Sequence, residues 1–194
     1  MKSSNDSLRR LFVAVVPPLQ VVEAVTSLLP RESSRLMQWT TPIRLHISID
    51  FLGRVNGVDT FLQDLSERVG VIDPFTVRLR GAGAFPEARR AEVFWLGIED
   101  AESGLRAAHL LVLEAARVHG IRIASHIFTP QLTIARLNRK ADLRPDIAAL
   151  EGVAIGEPWR VEEILLLDAP KSRGSRGSKG DVPFAQIGTF RLGQ

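Results

Sequence analysis

Two strand-like segments of this chain repeat the same alternation of apolar and polar residues, and this repeat narrows the choice of folds most. Residues 45–53 read LHISIDFLG, and residues 128–136 read FTPQLTIAR. At an offset of 85 residues the polar positions coincide, His46 with Gln131 and Ser48 with Thr133. Alternate side chains of a strand point to the same side of the sheet. The repeat therefore indicates two related, sheet-based lobes.

Strand and helix patterns interleave along the chain without the strict alternation of a doubly wound sheet. The periodicity predicts strands at 11–16, 43–53, 74–85, 92–99, 126–137, 159–169 and 184–193. It predicts helices at 18–29, 57–70, 102–120 and 144–152. Asp59 is placed to cap the second helix. The pattern favours an α+β (mixed α/β) fold, with residues 1–194 forming a single domain of two intertwined lobes.

The composition is that of a folded protein without cysteine chemistry. Of the 194 residues 45% are hydrophobic and none is cysteine, which excludes disulfides, thiolate metal sites and a cysteine nucleophile. The apolar run after Arg10 is broken at Pro17 and Pro18, so no membrane span is predicted. Residues 1–8 are expected to form a frayed tail. We expect a cytoplasmic protein that makes no membrane contact.

Basic residues cluster in two places, although the net charge is only +3. The segment 171–180, KSRGSRGSKG, carries four cations and no acid: Lys171, Arg173, Arg176 and Lys179. Its glycine and serine content predicts a flexible basic loop over residues 171–181. The segment 136–144, RLNRKADLR, is also basic. Such clusters suit a phosphate-bearing partner, and the alternative is a solvated surface.

Strict alternation assigns a face to each residue of the two repeated strands. The residues predicted to face the core are Leu45, Ile47, Ile49, Phe51, Pro130, Leu132 and Ile134. The opposite face would carry His46, Ser48, Asp50, Gln131, Thr133 and Ala135. If the strands lie side by side, an imidazole and two hydroxyls converge. These groups can donate to a phosphate, and the imidazole can act as a general acid or base. The alternative is a partly buried histidine without a catalytic role.

Several motifs together resemble the two-histidine (2H) phosphoesterase superfamily. They are RRLFVAVVPP near the start, LHISIDFLG, FTPQLTIAR, and GAGAFPEARRAEVFWLGI at 81–98. Their order and spacing are most similar to the bacterial and archaeal RNA 2',3'-cyclic phosphodiesterases, also described as 2'-5' RNA ligase-like. The resemblance implies two pseudo-symmetric lobes, each a small, mostly antiparallel sheet with helices outside, around a central groove. It implies no metal and no organic cofactor.

The family pattern, written HxTx, places one histidine and one hydroxyl on each of two facing strands. By this resemblance His46 is catalytic, and Ser48, Thr133 and Arg136 bind the phosphate. For Arg136 the alternative is a structural ion pair. Gln131 stands where the second catalytic histidine is expected, and a carboxamide has no proton that titrates near neutral pH. The nearest histidine, His126, lies an odd number of residues away and is expected on the opposite face. His109 and His119 fall in a predicted helix.

Further residues are candidates for contact with an RNA base or backbone. Trp39 and Phe85 can stack on a base, and packing is the alternative for each. The cations proposed to line the groove mouth or bind RNA are Arg89, Arg90, Lys171 and Arg173, with simple exposure as the alternative.

The resemblance implies an RNA 2',3'-cyclic phosphodiesterase that opens a terminal cyclic phosphate to a 2'-phosphate, with weak 2'-5' RNA ligation. Its partners would be RNA ends, including tRNA-like fragments, or cyclic nucleotides, and it would act as a monomer. Because of Gln131, the alternative is a catalytically weak RNA- or nucleotide-binding protein on the same scaffold. A metal enzyme is disfavoured, because no His, Asp or Glu cluster has the spacing of metal ligands. A purely structural protein would not explain two matched polar strands.

Overall fold

The computed structural model describes residues 9–29, 36–55, 57–124, 127–169 and 183–194. The predicted tail 1–8, the predicted loop 171–181 and His126 lie outside these residues. The strands are β1 (Arg9–Val15), β2 (Met37–Trp39), β3 (Ile47–Val55), β4 (Phe75–Phe85), β5 (Ala91–Glu99), β6 (Gln131–Ala141), β7 (Ala154–Val161), β8 (Glu163–Asp168) and β9 (Ala185–Arg191). The helices are α1 (Leu19–Leu28), α2 (Asp59–Gly70), α3 (Gly104–Val118) and α4 (Arg144–Ala149).

The strands form one nine-stranded sheet in the order β7-β4-β5-β6-β3-β1-β8-β9, with β2 paired to β6. Every pairing is antiparallel. The sheet consists of two halves, which we call the first arm (β3, β1, β8 and β9) and the second arm (β6, β5, β4 and β7). They join where β3 pairs with β6. The predicted α+β fold with two antiparallel lobes is confirmed, and the lobes share one continuous sheet.

The main core lies on one face of this sheet, where helices cover it. Leu11, Val13 and Val15 of β1 enter this core, together with Phe61 of α2 and Val112 of α3. Helix α2 packs against α3 and β9, while α1 packs against β7. A helix stabilises such a fold chiefly by burying one apolar face, and α3 does so with residues at helical spacing. We call the opposite face of the sheet the open face.

A smaller apolar cluster covers part of that opposite face on the first arm. Phe12 and Ala14 of β1 alternate with the residues that enter the main core, and they pack with Leu165 and Leu167 of β8. Phe184 packs against this cluster. Strand β1 is therefore buried on both faces, as its unbroken apolar sequence predicts. We call this group the groove-side cluster.

Four details of the predicted elements are wrong. The segment 159–169, predicted as one strand, is divided at Glu162, because Val161 pairs with Phe75 in one arm and Glu163 pairs with Arg191 in the other. Strand β2 was not predicted, since three residues carry too little pattern. Asp59 is the first helical residue of α2 and does not cap it. Strand β6 begins at Gln131 and not at 126.

Among the described residues, no helix is both long enough and apolar enough to cross a membrane.

Gly83 of β4 gives room to Trp95, its register partner on β5. A Cβ atom added to Gly83 would overlap the indole ring. We expect Gly83→Ala to lower the free energy of unfolding by about 1–3 kcal/mol, as overpacking does, because the rigid ring must move. Urea denaturation would measure the change.

Gly70→Ala is the matched control for that substitution. The nearest atoms to its added Cβ are at 3.7 Å, an ordinary contact, and Gly70 has no left-handed backbone angle. Alanine there should leave stability unchanged or raise it by about 0.5–1 kcal/mol. Equal effects at the two glycines would contradict the packing argument.

Candidate active site

The two repeated segments meet at the junction of the two arms. Ile47 of β3 is the register partner of Leu132 of β6, and both side chains are fully buried in the main core. Directly opposed residues of an antiparallel pair point to the same face, and their neighbours point to the other. The flanking residues of both strands are therefore brought together on the open face of the sheet. They are His46, Ser48, Gln131 and Thr133.

A β-bulge follows each motif at the same position. On β3, Ile49 is the extra residue, because Ser48 pairs with Ala14 and Asp50 pairs with Val13. On β6, Ile134 is the extra residue, because Thr133 pairs with Trp95 and Ala135 pairs with Phe94. A bulge places two residues against one and breaks the alternation of faces. The two bulges, at Ile49 and Ile134, are therefore 85 residues apart, as the two motifs are.

The bulges overturn three of the predicted faces. Asp50 and Ala135, predicted on the polar face, are turned into the protein and are buried. Phe51, predicted to face the core, is turned outward and is 60% exposed. Arg136 occupies the position on β6 that corresponds to Phe51 and is also exposed. Each motif is thus followed on the open face by one large side chain, aromatic in the first arm and cationic in the second.

His46 is held in one orientation by the turn that precedes β3. Its Nδ1 lies 2.7 Å from the carbonyl oxygen of Arg44. A carbonyl only accepts hydrogen bonds, so Nδ1 carries the hydrogen and Nε2 keeps its lone pair in the neutral ring. The imidazole also contacts the groove-side cluster, with its ring centre 5.0 Å from that of Phe12 and 5.1 Å from that of Phe184.

The surroundings of His46 disfavour its protonated form. Burial against the aromatic rings lowers its pKa most, and the positive charges of Arg44 and Arg136 lower it further. The hydrogen bond to the Arg44 carbonyl acts in the opposite direction and is outweighed. The imidazole is therefore neutral at pH 7 and can accept a proton at Nε2.

Gln131 and Thr133 occupy partly buried positions at the start of β6. Gln131 lies opposite Gly97 and Thr133 lies opposite Trp95. The side-chain oxygen of Gln131 is shielded from solvent and has no hydrogen-bond partner among the residues that the structure describes. The arrangement puts a carboxamide, not a second imidazole, beside the hydroxyls of Ser48 and Thr133.

The other residues predicted to contact RNA lie in different parts of the structure. Trp39 pairs with Ala135 on β2, where its side chain is partly buried and packs against the main core. Phe85, at the end of β4, is 38% exposed and lies 5.5 Å from Trp95 between ring centres. Arg89 and Arg90 are exposed in the turn between β4 and β5. Lys171 and Arg173 lie outside the described residues.

Three aromatic rings and a cation beside His46 were not predicted as site residues. Phe12 stacks on Phe51 at 5.6 Å between ring centres, and Phe184 meets Phe12 edge-on at 4.9 Å. The guanidinium of Arg44 lies 4.7 Å from the centre of the Phe184 ring. Alternation assigns Phe51 to the core, so only the bulge reveals this wall.

Asp50 forms a buried ion pair or hydrogen bond with His109 of α3. Its Oδ2 lies 2.7 Å from Nδ1 of His109, and the exposures are 1% for Asp50 and 7% for His109. The imidazole stacks on Phe128 with 4.4 Å between ring centres. Phe128 precedes Gln131 by three residues, so this contact links the bulge of β3 to the chain that enters β6.

The described part of the chain holds no group of three or more His, Asp or Glu side chains arranged to bind a metal ion.

Comparison with known proteins gives one consistent family. A family model described as the 2'-5' RNA ligase superfamily matches residues 17–173. A Thermus thermophilus protein named RNA 2',3'-cyclic phosphodiesterase is 33% identical over 173 residues, which is 81% of this chain and 80% of that protein. An Archaeoglobus fulgidus protein of the same name is 32% identical over 142 residues, which is 72% of this chain and 77% of its own length.

Two solved structures share the fold. The crystal structure of TT0787 of Thermus thermophilus covers 95% of this chain and 98% of its own, with a TM-score of 0.70 and 29% identity. The crystal structure of E. coli LigT complexed with 3'-AMP covers 97% of this chain and 100% of its own, with a TM-score of 0.70. At 22% identity the second is a likeness of fold alone.

His46 should titrate below pH 6.5, its ordinary value, in the folded protein. Between its folded pKa and 6.5, the unfolded chain binds a proton at His46 that the folded chain does not. This residue therefore adds stability as pH rises towards 6.5, and that stability is lost as pH falls. The midpoint can be measured by NMR of the imidazole carbons.

The same titration can test how far Arg136 lowers the pKa of His46. Arg136→Gln removes a positive charge that lowers the pKa of His46, so the midpoint should rise. Arg90→Gln, in the exposed turn, is the matched control and should leave it unchanged. A wild-type midpoint above 6.5 would contradict the burial of His46.

Proposed function

The chain belongs to the 2'-5' RNA ligase superfamily, and from this premise we propose that it opens a 2',3'-cyclic phosphate at an RNA end to a 2'-phosphate. The observation that carries the proposal is the pairing of Ile47 with Leu132, which brings His46 and the hydroxyls of Ser48 and Thr133 to one face of the sheet. We further propose that the chain works as a single-domain monomer in the cytoplasm.

In the proposed reaction His46 is the general base. Its Nε2 takes a proton from a water molecule while the water oxygen forms a bond to phosphorus. The bond between phosphorus and the 3'-oxygen breaks, which leaves a 2'-phosphate. Ser48 and Thr133 would donate hydrogen bonds to the phosphate oxygens, and Arg136 would offset their charge. Weak 2'-5' joining would follow the same course with the 5'-hydroxyl of a second RNA in place of water. Nε2 of His46 would take the proton of that hydroxyl, its oxygen would bond to phosphorus, and the bond between phosphorus and the 3'-oxygen would break.

Gln131 makes the other proton transfer difficult. The departing 3'-oxygen needs a proton, and a carboxamide does not release one near pH 7. Water would have to supply it, and the absence of a positioned acid costs typically about 10²–10⁴-fold in rate. This same observation favours the second candidate function, an RNA- or nucleotide-binding protein with weak catalysis, because the groups that bind phosphate are kept.

Restoring an imidazole at position 131 separates these two functions. We expect Gln131→His to raise the turnover of a 2',3'-cyclic nucleotide by about 10²-fold or more, because the new side chain can protonate the departing oxygen. The gain should appear mainly in kcat, since Ser48 and Thr133 are unchanged. Steady-state kinetics on 2',3'-cyclic AMP would measure it.

Two further variants complete this experiment. Gln131→Met fills similar space without a titrating group and should bring no gain, while His46→Ala in the Gln131→His background should abolish the activity. If the Gln131→His protein stays inactive on cyclic nucleotides and RNA ends, the binding function is favoured. If the Gln131 protein is already as fast as Gln131→His, another residue carries the proton.

The proposed RNA partner can be tested through the segment 171–180. Neutralising its four cations, Lys171, Arg173, Arg176 and Lys179, should weaken RNA binding and flatten its dependence on salt. Binding of a small cyclic nucleotide should change less, since it offers few phosphates. Binding titrations at several salt concentrations would show the slopes, and equal slopes before and after neutralisation would count against the prediction.

A further inference from the structure

The side-chain oxygen of Gln131 is an acceptor that the described residues leave unused. Among them it has no hydrogen-bond partner, and it is shielded from solvent, while β6 places the partly exposed residue itself on the open face beside the proposed phosphate site. An unsatisfied buried acceptor costs free energy, so such atoms are rare in folded proteins. The indole nitrogen of Trp95 does not satisfy it, because that nitrogen is also without a partner among the described residues.

We propose that Gln131 is a specificity-determining residue that accepts a hydrogen bond from the ribose hydroxyl next to a bound phosphate. The inference rests on the proposed function in one respect, that Ser48 and Thr133 hold that phosphate. Its ligand class is the opened RNA end, a 2'- or 3'-phosphomonoester with a free hydroxyl on the adjacent ribose carbon.

The chemistry of the ligand selects the opened end. An amide oxygen can only accept, and the phosphate oxygens of an ionised ester can only accept as well. In a 2',3'-cyclic phosphate both ribose oxygens are esterified, so neither carries a hydrogen. Opening the ring frees one of them as a hydroxyl beside the phosphate. The acceptor of Gln131 is thus satisfied by the product of the proposed reaction and not by its substrate.

The position of Gln131 on the strand suits this role. The antiparallel register through Ile47 and Leu132 puts Gln131 across from Ser48, and Thr133 follows two residues along the same face. A phosphate between the two hydroxyls therefore has the Gln131 amide at its side. The proposed reaction frees the 3'-hydroxyl beside a 2'-phosphate, so Gln131 would give the site a preference for the opened RNA end over the cyclic phosphate.

A double-mutant cycle between ligand and protein tests the proposal. The probes are adenosine 2'-phosphate and 3'-deoxyadenosine 2'-phosphate, which differ by the hydroxyl that the proposed reaction frees, and binding is measured by calorimetry on the full chain. Wild type should bind adenosine 2'-phosphate about 3- to 10-fold more tightly, the range expected for one neutral hydrogen bond. In Gln131→Met the two dissociation constants should be equal. Any preference from sugar conformation is common to both proteins and cancels in the cycle.

Thr133→Val is the matched control on the same strand. Loss of a phosphate contact should weaken both nucleotides by the same factor and leave the preference intact. Gln131→Leu serves as a second variant if thermal denaturation shows that Gln131→Met is unfolded. Equal binding of the two nucleotides by wild type, a preference that survives in Gln131→Met, or no binding of either nucleotide would each overturn the proposal.

The double-mutant cycle and the test of turnover can fail independently of each other. If neither wild type nor Gln131→His turns over a cyclic nucleotide but the hydroxyl preference depends on Gln131, the proposed activity fails and this inference holds. If turnover is observed and the cycle shows no coupling, only this inference fails.

Discussion

The pairing of Ile47 with Leu132 is the contact on which the site depends. It is the register pair through which β3 and β6 join the two arms, and both side chains are withdrawn completely from solvent. Because side chains alternate between faces, a slip of one residue at this junction would turn one motif into the core and leave the other outside. The burial of two aliphatic side chains thus selects the register that brings the polar residues together.

The paired bulges then decide what surrounds those polar residues. If side chains alternated regularly through Ile49, Asp50 would lie in the groove and Phe51 in the core. With the bulges at Ile49 and Ile134, the first motif borders an aromatic wall and the second borders Arg136. An aromatic wall withdraws His46 from water, and a cation repels its proton, so both neighbours keep the imidazole neutral. The irregularity of the sheet is therefore part of the electrostatics of the site.

The sequence was sufficient for the features that depend on local pattern and on family resemblance. The α+β class, the long helix α3 and the strands β4 and β5 follow from periodicity, and the family follows from the motifs around His46 and Thr133. The bulges could not be predicted in this way, since each exists only relative to a partner strand, β1 or β5. The division at Glu162 was missed for the same reason, because both of its flanking segments are apolar and only their partners differ.

Under the proposed function, affinity and turnover would depend on different residues of this site. The hydroxyls of Ser48 and Thr133 face the groove whatever the protonation of the protein, so they would contribute to ground-state binding at every pH. Proton transfer would depend on His46 alone, whose neutral form is ready to accept a proton but whose partner across β6 is an amide. A substrate can then be held well and converted slowly, since uniform binding does not lower the barrier of the chemical step. The junction of the two arms would bring the phosphate-binding hydroxyls together, and the residue at position 131 would decide whether the chain converts its ligand or only binds it.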